Sequence, residues 1–427
     1  MIIYALLIRL LSPLLLLWVV IEAIKRHGGL RFIQQRLGFA YPSLSINAIK
    51  PIWIHCASVG EVNAVAPLVK ALLPNQPIVI TTHTPTGAKQ CQQIFGDTLT
   101  HCYLPLDWPY AVNHFLKHLS PSCLWVVETE IWPNLYRLSH QAGLPIALIN
   151  ARLSRKTLSS PQWLIKTYKA TLYHVDQVIL RSPEEAEHFQ QLGVPVERIR
   201  FIENLKYATP IEASQFDLPF PNLSGDSEFV VAASTHDDEE VQLVAIWQRL
   251  NRPERLVLVP RHPHRRDAIL KSLADHRNEI AVDSLNEPIT SQTRYILMDK
   301  MGILMPLYAH AKLVIMGGAF VAKGGHNLIE PASVKACIVT GPDMSDFETE
   351  TRQLVAKQAI RQRQNWQQLA QTLIELLDNP SLRQQMGQAA YEAVACKTNV
   401  LSDYLNALKP FQNRKPSAKD NNRPTIR

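Results

Sequence analysis

Lys312-Leu313-Val314-Ile315-Met316-Gly317-Gly318 is followed, after a short connection, by Gly324-Gly325-His326-Asn327-Leu328-Ile329-Glu330-Pro331. An apolar run ending in paired glycines reads as a buried strand, and the second stretch reads as a glycine-rich turn opening a helix. That layout aims backbone N–H groups at an anionic group such as a phosphate. Glycine allows the main chain to approach a ligand closely, and His326, Asn327 and Glu330 add groups suited to sugar or ribose hydroxyls. The competing reading is a tight βα turn with a capped helix.

The same unit recurs on both sides. Apolar strands are predicted at 51–57, 77–82, 123–127, 145–150 and 176–181, with helices at 62–73, 88–95 and 133–142 among them. After a Pro- and Ser-bearing stretch the alternation restarts, with strands at 228–233, 255–260, 294–298, 312–316 and 336–340. Near-continuous apolar strands alternating with helices imply parallel sheets covered on both faces. The expected fold is therefore α/β, two Rossmann-like domains over 27–208 and 226–408 joined by a linker at 209–225. Ligands of such folds bind beyond the carboxyl ends of the strands.

Polar residues gather at those ends. They include Ser58-Val59-Gly60-Glu61, Thr84-Pro85-Thr86-Gly87, Glu128-Thr129-Glu130 and Asn150-Ala151-Arg152 in the first block. In the second block they include Ser234-Thr235-His236-Asp237-Asp238-Glu239-Glu240, Pro260-Arg261-His262-Pro263-His264-Arg265 and Met301-Gly302. Together they read as two walls of an active-site cleft. Ser58-x-x-Glu61 also matches a helix capping box, as does Ser182-x-x-Glu185, which is assigned wholly to capping. Glu128 and Glu130 point to opposite faces if the strand runs through them, so one of the two lines the cleft and which one stays open. Arg261, His262 and Arg265 suit a phosphate or carboxylate. Neither an H-E-x-x-H nor a D-x-D is present, and a metal-free mechanism is expected.

Composition narrows the class. With 427 residues, 46% hydrophobic and 19% charged, the chain is globular. Its net charge of +7 sits at the ends: Arg9, Lys25, Arg26, Arg31 and Arg36 near the start, and Lys409, Arg414, Lys415, Lys419, Arg423 and Arg427 at the finish. The long middle is slightly acidic, which argues against nucleic acid as a partner and for an anionic membrane surface. The six cysteines include no C-x-x-C pair, so a reducing compartment is expected and a structural zinc site is not. Residues 1–26 are nearly all apolar and end in Lys25-Arg26, which predicts a membrane-anchor helix with the rest of the chain cytoplasmic. Arg9 and Pro13 also allow a helix lying in the interface. The tail at 409–427 has the composition of a disordered basic segment.

These pieces, in this order, resemble the 3-deoxy-D-manno-octulosonic acid (Kdo) transferases of lipopolysaccharide assembly. Leu104-Pro105-Leu106-Asp107, Glu128-Thr129-Glu130-Ile131-Trp132-Pro133-Asn134, Leu205-Lys206 and Gly324-Gly325-His326-Asn327 extend the match. The resemblance implies a GT-B glycosyltransferase, with two parallel sheets facing across a cleft, at the cytoplasmic face of the inner membrane. CMP-Kdo is the implied donor and a lipid A precursor, lipid IVA, the implied acceptor. Glu61 matches the family's general base in an inverting transfer, and as a helix N-terminal residue it is expected to be held ionised by the helix dipole. Glu128 or Glu130, together with Lys206, matches positions that support the transition state. The donor set is Ser234, Thr235, Pro260, Arg261, Met301, Gly302, Ile303, Gly325, His326, Asn327, Leu328, Ile329 and Glu330, with Ile303 standing where Glu is usual. Acceptor-side candidates are Ser58, Gly60, Thr86 and Arg152. Neither metal nor cofactor is implied. The rival readings are another GT-B transferase acting on a lipid-linked sugar, and a membrane-tethered nucleotide-sugar binder without catalysis.

Overall fold

The structure, a computed structural model, describes residues 2–42, 49–153, 155–208, 228–397 and 399–412. The expected linker at 209–225 and residues 413–427 of the tail lie outside them. The chain forms two compact units, Met1–Thr209 with Thr398–Arg427, and Pro210–Lys397.

The first unit holds β1 (Ile52–Cys56), β2 (Ile78–Thr82), β3 (Thr100–Tyr103), β4 (Cys123–Val127), β5 (Ile146–Ala151), β6 (Gln177–Leu180) and β7 (Ile199–Phe201). They pair in parallel in the order β3-β2-β1-β4-β5-β6-β7. Strand alternation serves two cores. Trp53 joins Leu124 and Val126 on one face, whereas Ile52, Ile54 and Cys56 join Trp125 and Val127 on the other. The second unit repeats the plan with β8 (Phe229–Thr235), β9 (Arg255–Pro260), β10 (Ile280–Val282), β11 (Tyr295–Leu297), β12 (Leu313–Met316), β13 (Ile338–Thr340) and β14 (Ile360–Gln362). Its order is β10-β11-β9-β8-β12-β13-β14, again all parallel.

The expected anchor helix is two helices, α1 (Ile2–Leu10) and α2 (Ser12–Lys25), bent by 56°. Pro13 has no N–H for the Arg9 carbonyl, so the helical ladder breaks there. Among the described residues no single helix is long and apolar enough to cross a membrane; the bent pair is so only together, by length and composition. One side of α2 is docked, with Val19 and Ala23 buried against Phe32, Tyr103 and Leu106. Leu14, Leu17 and Ile24 of α2 stay exposed, as do Leu6 and Leu10 of α1. Of the expected surface cations, Arg36 is buried inside the unit and Arg31 stays exposed. In α3 (Gly29–Arg36), Arg31 Nη2 donates to the His101 carbonyl (2.8 Å) and buried Arg36 Nη1 donates to the Leu104 carbonyl (2.6 Å).

The carboxyl-terminal boundary also moves. Helix Val400–Gln412 packs Tyr404 and Leu408 into the first unit's core, so the second unit ends before residue 408, and Lys409 to Gln412 are helical.

Candidate active site

β1 leads into α4 (Val59–Leu72), whose first turn is the expected capping box. Ser58 Oγ accepts from the Glu61 N–H (3.3 Å), and its hydroxyl donates to Glu61 Oε1 (3.0 Å). The Ala57 N–H donates to Oε2 (2.7 Å), and Glu61 is 8% exposed. The matching Ser182 spacing does not repeat this. Glu185 there accepts from the Leu153 N–H (2.5 Å) and lies 3.7 Å from Arg181, above a single 3-10 turn. The Ser182 copy instead opens a 3-10 turn that runs into the six-residue helix Ala186–Gln191, and Ser182 makes no side-chain cap there.

β4 stops at Val127. Glu128 then adopts φ 57°, a left-handed conformation uncommon without glycine, and its carboxylate meets Arg152 Nε at 3.0 Å. Glu130 Oε2 accepts from Trp132 Nε1 (2.9 Å). Because the strand ends first, strict alternation no longer separates Glu128 from Glu130. Both act on Glu61: burial, then the Glu128 charge, then Glu130, push its carboxyl up to about 8 against the Ala57 and Ser58 donors. Desolvation and two like charges thus work against the helix dipole that the sequence suggests would keep Glu61 ionised. Burial raises Glu130 as well, with the Trp132 donor opposing.

Asn150, fully buried with φ 54°, sits where the β5–β6 register shifts. Its Oδ1 accepts from the Leu205 N–H (2.9 Å), fixing the short turn Leu205–Ala208 that carries Lys206 and packs with Val62 and Val65 of α4. Asn150 was not singled out as a site residue from sequence. Thr86 is exposed in the first turn of α5 (Pro85–Phe95), which Thr84 caps through the Gly87 N–H (3.2 Å). His55 in β1 and His83 after β2 were also missed. Both adjoin Glu130, with His83 Nδ1 3.7 Å from its Oε2. Their signal was faint: each is a histidine at or near the end of a strand that pairs with its neighbour only in the sheet.

In the second unit, Ser234 (φ 56°) lies at the β8–β9 register shift, and the Arg261 N–H donates to the Thr235 carbonyl (2.9 Å). The ends of β8 and β9, with Ser234, Thr235, Pro260 and Arg261, are thus side by side. Met301, Gly302 and Ile303 follow β11, the next strand in the sheet, with Met301 exposed. Two acids are structural. Glu239 accepts from the N–H groups of His236 (3.0 Å), Gly318 (2.7 Å) and Phe320 (3.2 Å). Glu240 takes Arg265 in a two-pronged pair (2.8 and 3.1 Å) and Asp237 meets the same guanidinium, so Arg265 is committed and not offered to a ligand as expected. Arg261 has no ion pair among the described residues.

The glycine segment is more self-satisfied than its sequence suggests. Gly324 N–H donates to Asp343 Oδ2 (2.8 Å), Gly325 N–H to the Gly318 carbonyl (3.2 Å) and Ile329 N–H to Asn327 Oδ1 (3.1 Å). The helix it opens, Ile329–Ser333, is five residues long, so the expected row of free N–H groups is largely used within the loop. Gly324 and Gly325 have φ 81° and 68°, and a Cβ on Gly325 would lie 2.2 Å from the Met344 sulfur. Leu328 and Ile329 are buried and present only main chain. His326 Nε2 lies 3.0 Å from His236 Nε2, with the rings stacked at 10°.

Residues 31–209 match the family described as 3-Deoxy-D-manno-octulosonic-acid transferase (kdotransferase). Over 422 residues the chain is 31% identical to the 3-deoxy-D-manno-octulosonic acid transferase of Haemophilus influenzae, covering 96% of this chain and 98% of that one. The chain belongs to the 3-deoxy-D-manno-octulosonic acid transferase family. The Bordetella pertussis transferase is 30% identical, with 96% of this chain and 99% of that one covered. A glycosyltransferase structure from Rickettsia africae matches with a TM-score of 0.61 at 13% identity, over 86% of this chain and 100% of that one, which supports the GT-B-like two-unit fold. The transferase is thus a glycosyltransferase built from two parallel α/β units, as expected from its strand pattern.

Proposed function

We propose that this transferase moves Kdo from CMP-Kdo to a lipid A precursor, lipid IVA, in lipopolysaccharide inner-core synthesis, inverting the anomeric carbon without a metal. The observation that carries the reading is Glu61, a buried carboxylate at the start of α4 held by the Ala57 N–H and the Ser58 hydroxyl, with burial, Glu128 and Glu130 raising its proton affinity. A base of that strength is matched to near-neutral chemistry. The acceptor hydroxyl oxygen attacks the anomeric carbon and gives its proton to Glu61. The bond to the CMP phosphate oxygen breaks, and its electron pair leaves on CMP. Arg261 of the second unit suits the CMP phosphate and Lys206 the Kdo carboxylate, whereas Arg152 is taken by Glu128. The exposed apolar side of α1 and α2, with Lys25 and Arg26, suits attachment to the cytoplasmic face of the inner membrane, where the acceptor resides.

The test is transfer from CMP-Kdo made in situ to tetra-acylated lipid A precursor, with products read by mass. Intact protein should add mass in steps of Kdo, and Glu61→Gln should lose about 10²–10⁴-fold in rate while still binding CMP. Undiminished transfer by the variant would return Glu61 to a capping role. CMP binding without transfer by intact protein would mark a nucleotide-sugar binder instead.

A further inference from the structure

The sheet order β2-β1-β4 sets three strand ends side by side, and each contributes a metal-binding side chain: His83 after β2, His55 in β1 and Glu130 after β4. One ligand atom from each lies within 4.8 Å of the other two. The two imidazoles are 4.7 Å apart between centroids and inclined at 55°, an arrangement that does not stack. His83 Nδ1 stands 3.7 Å from Glu130 Oε2, too far for a hydrogen bond. It is close to the roughly 3.4 Å that separates neighbouring ligands of a tetrahedral ion with bonds of about 2.0–2.1 Å.

A second observation is independent of this spacing. His55 is fully buried, and its Nδ1 faces the Thr81 carbonyl (3.2 Å) and hydroxyl (2.9 Å). A proton donated from Nδ1 to that carbonyl leaves a lone pair on Nε2, and His55 Nε2 is buried without a hydrogen-bond partner. His83 Nε2 is also buried without a partner, but the Nδ1 of that ring is the atom that faces Glu130, so His55 Nε2 alone carries this observation. An orphaned imidazole nitrogen is costly in a folded interior unless something binds it. Donation of the second ring N–H to a backbone carbonyl is also how metal-binding histidines are commonly oriented.

We propose that His55, His83 and Glu130 bind one transition-metal ion, with Zn²⁺ the best match, and that occupancy withdraws Glu130 from the transfer reaction. Two imidazoles and a carboxylate favour Zn²⁺ over Mg²⁺ or Ca²⁺ and leave a fourth position for water. Arg36 is the opposing charge at the site; Glu130, with Glu128 and Glu61 beyond it, supplies the attraction. The three ligands are far apart in sequence and show no spacing motif. The regulatory half of the proposal rests on the proposed role of Glu130; the binding half does not.

The experiment titrates the full chain, carrying Cys396→Ser to remove the exposed thiol, with Co²⁺ and then Zn²⁺ in metal-free buffer. One equivalent of Co²⁺ should give the strong visible absorption of a four-coordinate site, and one equivalent of Zn²⁺ should bleach it. His83→Gln, checked by circular dichroism, should lose that absorption and weaken Zn²⁺ binding by more than about 100-fold, beyond what losing an orienting contact alone does. A weak six-coordinate spectrum from the unaltered site, or equal Zn²⁺ affinity in both proteins, would overturn the site. In the transfer assay, Zn²⁺ should slow the unaltered site, reversibly by chelation, and should not slow His83→Gln. Equal inhibition of both would overturn the regulatory half and leave the binding result to stand or fall by the spectra.

Discussion

Glu61 is pulled by two opposing sets of neighbours, and pH separates them. The Ala57 N–H and Ser58 hydroxyl favour the carboxylate; burial, Glu128 and Glu130 favour the acid and win, at about 8. A base works only when ionised, so kcat/KM for transfer should climb with pH along a limb centred near 8. Glu128→Gln deletes a like charge, so that limb should move to lower pH even as the rate falls; a fixed limb would mean that another group titrates. Stability carries the opposite sign. The native state keeps a proton that the unfolded chain releases between 4.5 and about 8, so the stability tied to Glu61 is present at low pH and lost as pH rises through that window. Glu61→Gln should therefore melt several degrees above the intact protein at about pH 9 and show little gain at about pH 4, as thermal melts would read. The capping half of this residue was legible in sequence because Ser58 and Glu61 are neighbours on one turn. Its altered proton affinity was not, because Glu128 reaches it only through the β1–β4 pairing. His83 was invisible for the same reason.

At the scale of elements, local grammar reads what is buried on both sides and misses what is not. All ten strands predicted from apolar runs are present, and the four that were missed, β3, β7, β10 and β14, are the four sheet edges. Thr100-His101-Cys102-Tyr103 and Ile360-Arg361-Gln362 carry polar residues toward a half-open side, so no continuous apolar run marks them. Caps supplied from afar are equally silent. The α6 helix (Pro133–Gln141) has no side-chain cap of its own; Asp107 accepts from the N–H groups of Asn134 (2.9 Å) and Leu135 (2.7 Å), and from the Tyr4 hydroxyl (2.6 Å). One carboxylate thus holds the start of α6 and ties down α1. Asp107→Ala should cost about 3 kcal/mol or more, since it leaves two helix N–H groups and a half-buried phenol unpaired. Asp107→Asn, which keeps one acceptor, should cost less. Denaturant melts of both would check this, and equal losses would mean that the Asp107 charge rather than its acceptor geometry is what matters.

At the scale of the molecule, the chain leaves its first unit after the Leu205–Ala208 turn and comes back to it at the end. Helix Val400–Gln412 buries Tyr404 and Leu408 completely against the core that contains Val62, Val65 and Leu205. An amphipathic pattern states that a helix covers something without naming the sheet, which is why the sequence left this helix with the nearer block. The bend in the N-terminal pair is the converse case: its apolar character was plain, and Arg9 and Pro13, already noted, account for the break. The return of the last helix has a consequence for unfolding. Ending the chain at Lys397 should strip the cover from α4 and lower the melting of the first unit, and Tyr404→Ala should do the same in part, by about 3–5 kcal/mol. CMP, if it binds the second unit as proposed, should raise only that unit's transition, by mass action. Calorimetry of the intact, truncated and Tyr404→Ala chains, each with and without CMP, separates the two. A truncation that lowered the CMP-responsive transition would assign the helix to the second unit after all; one that moved only the other transition would show the first unit to be closed by the last residues of the described chain.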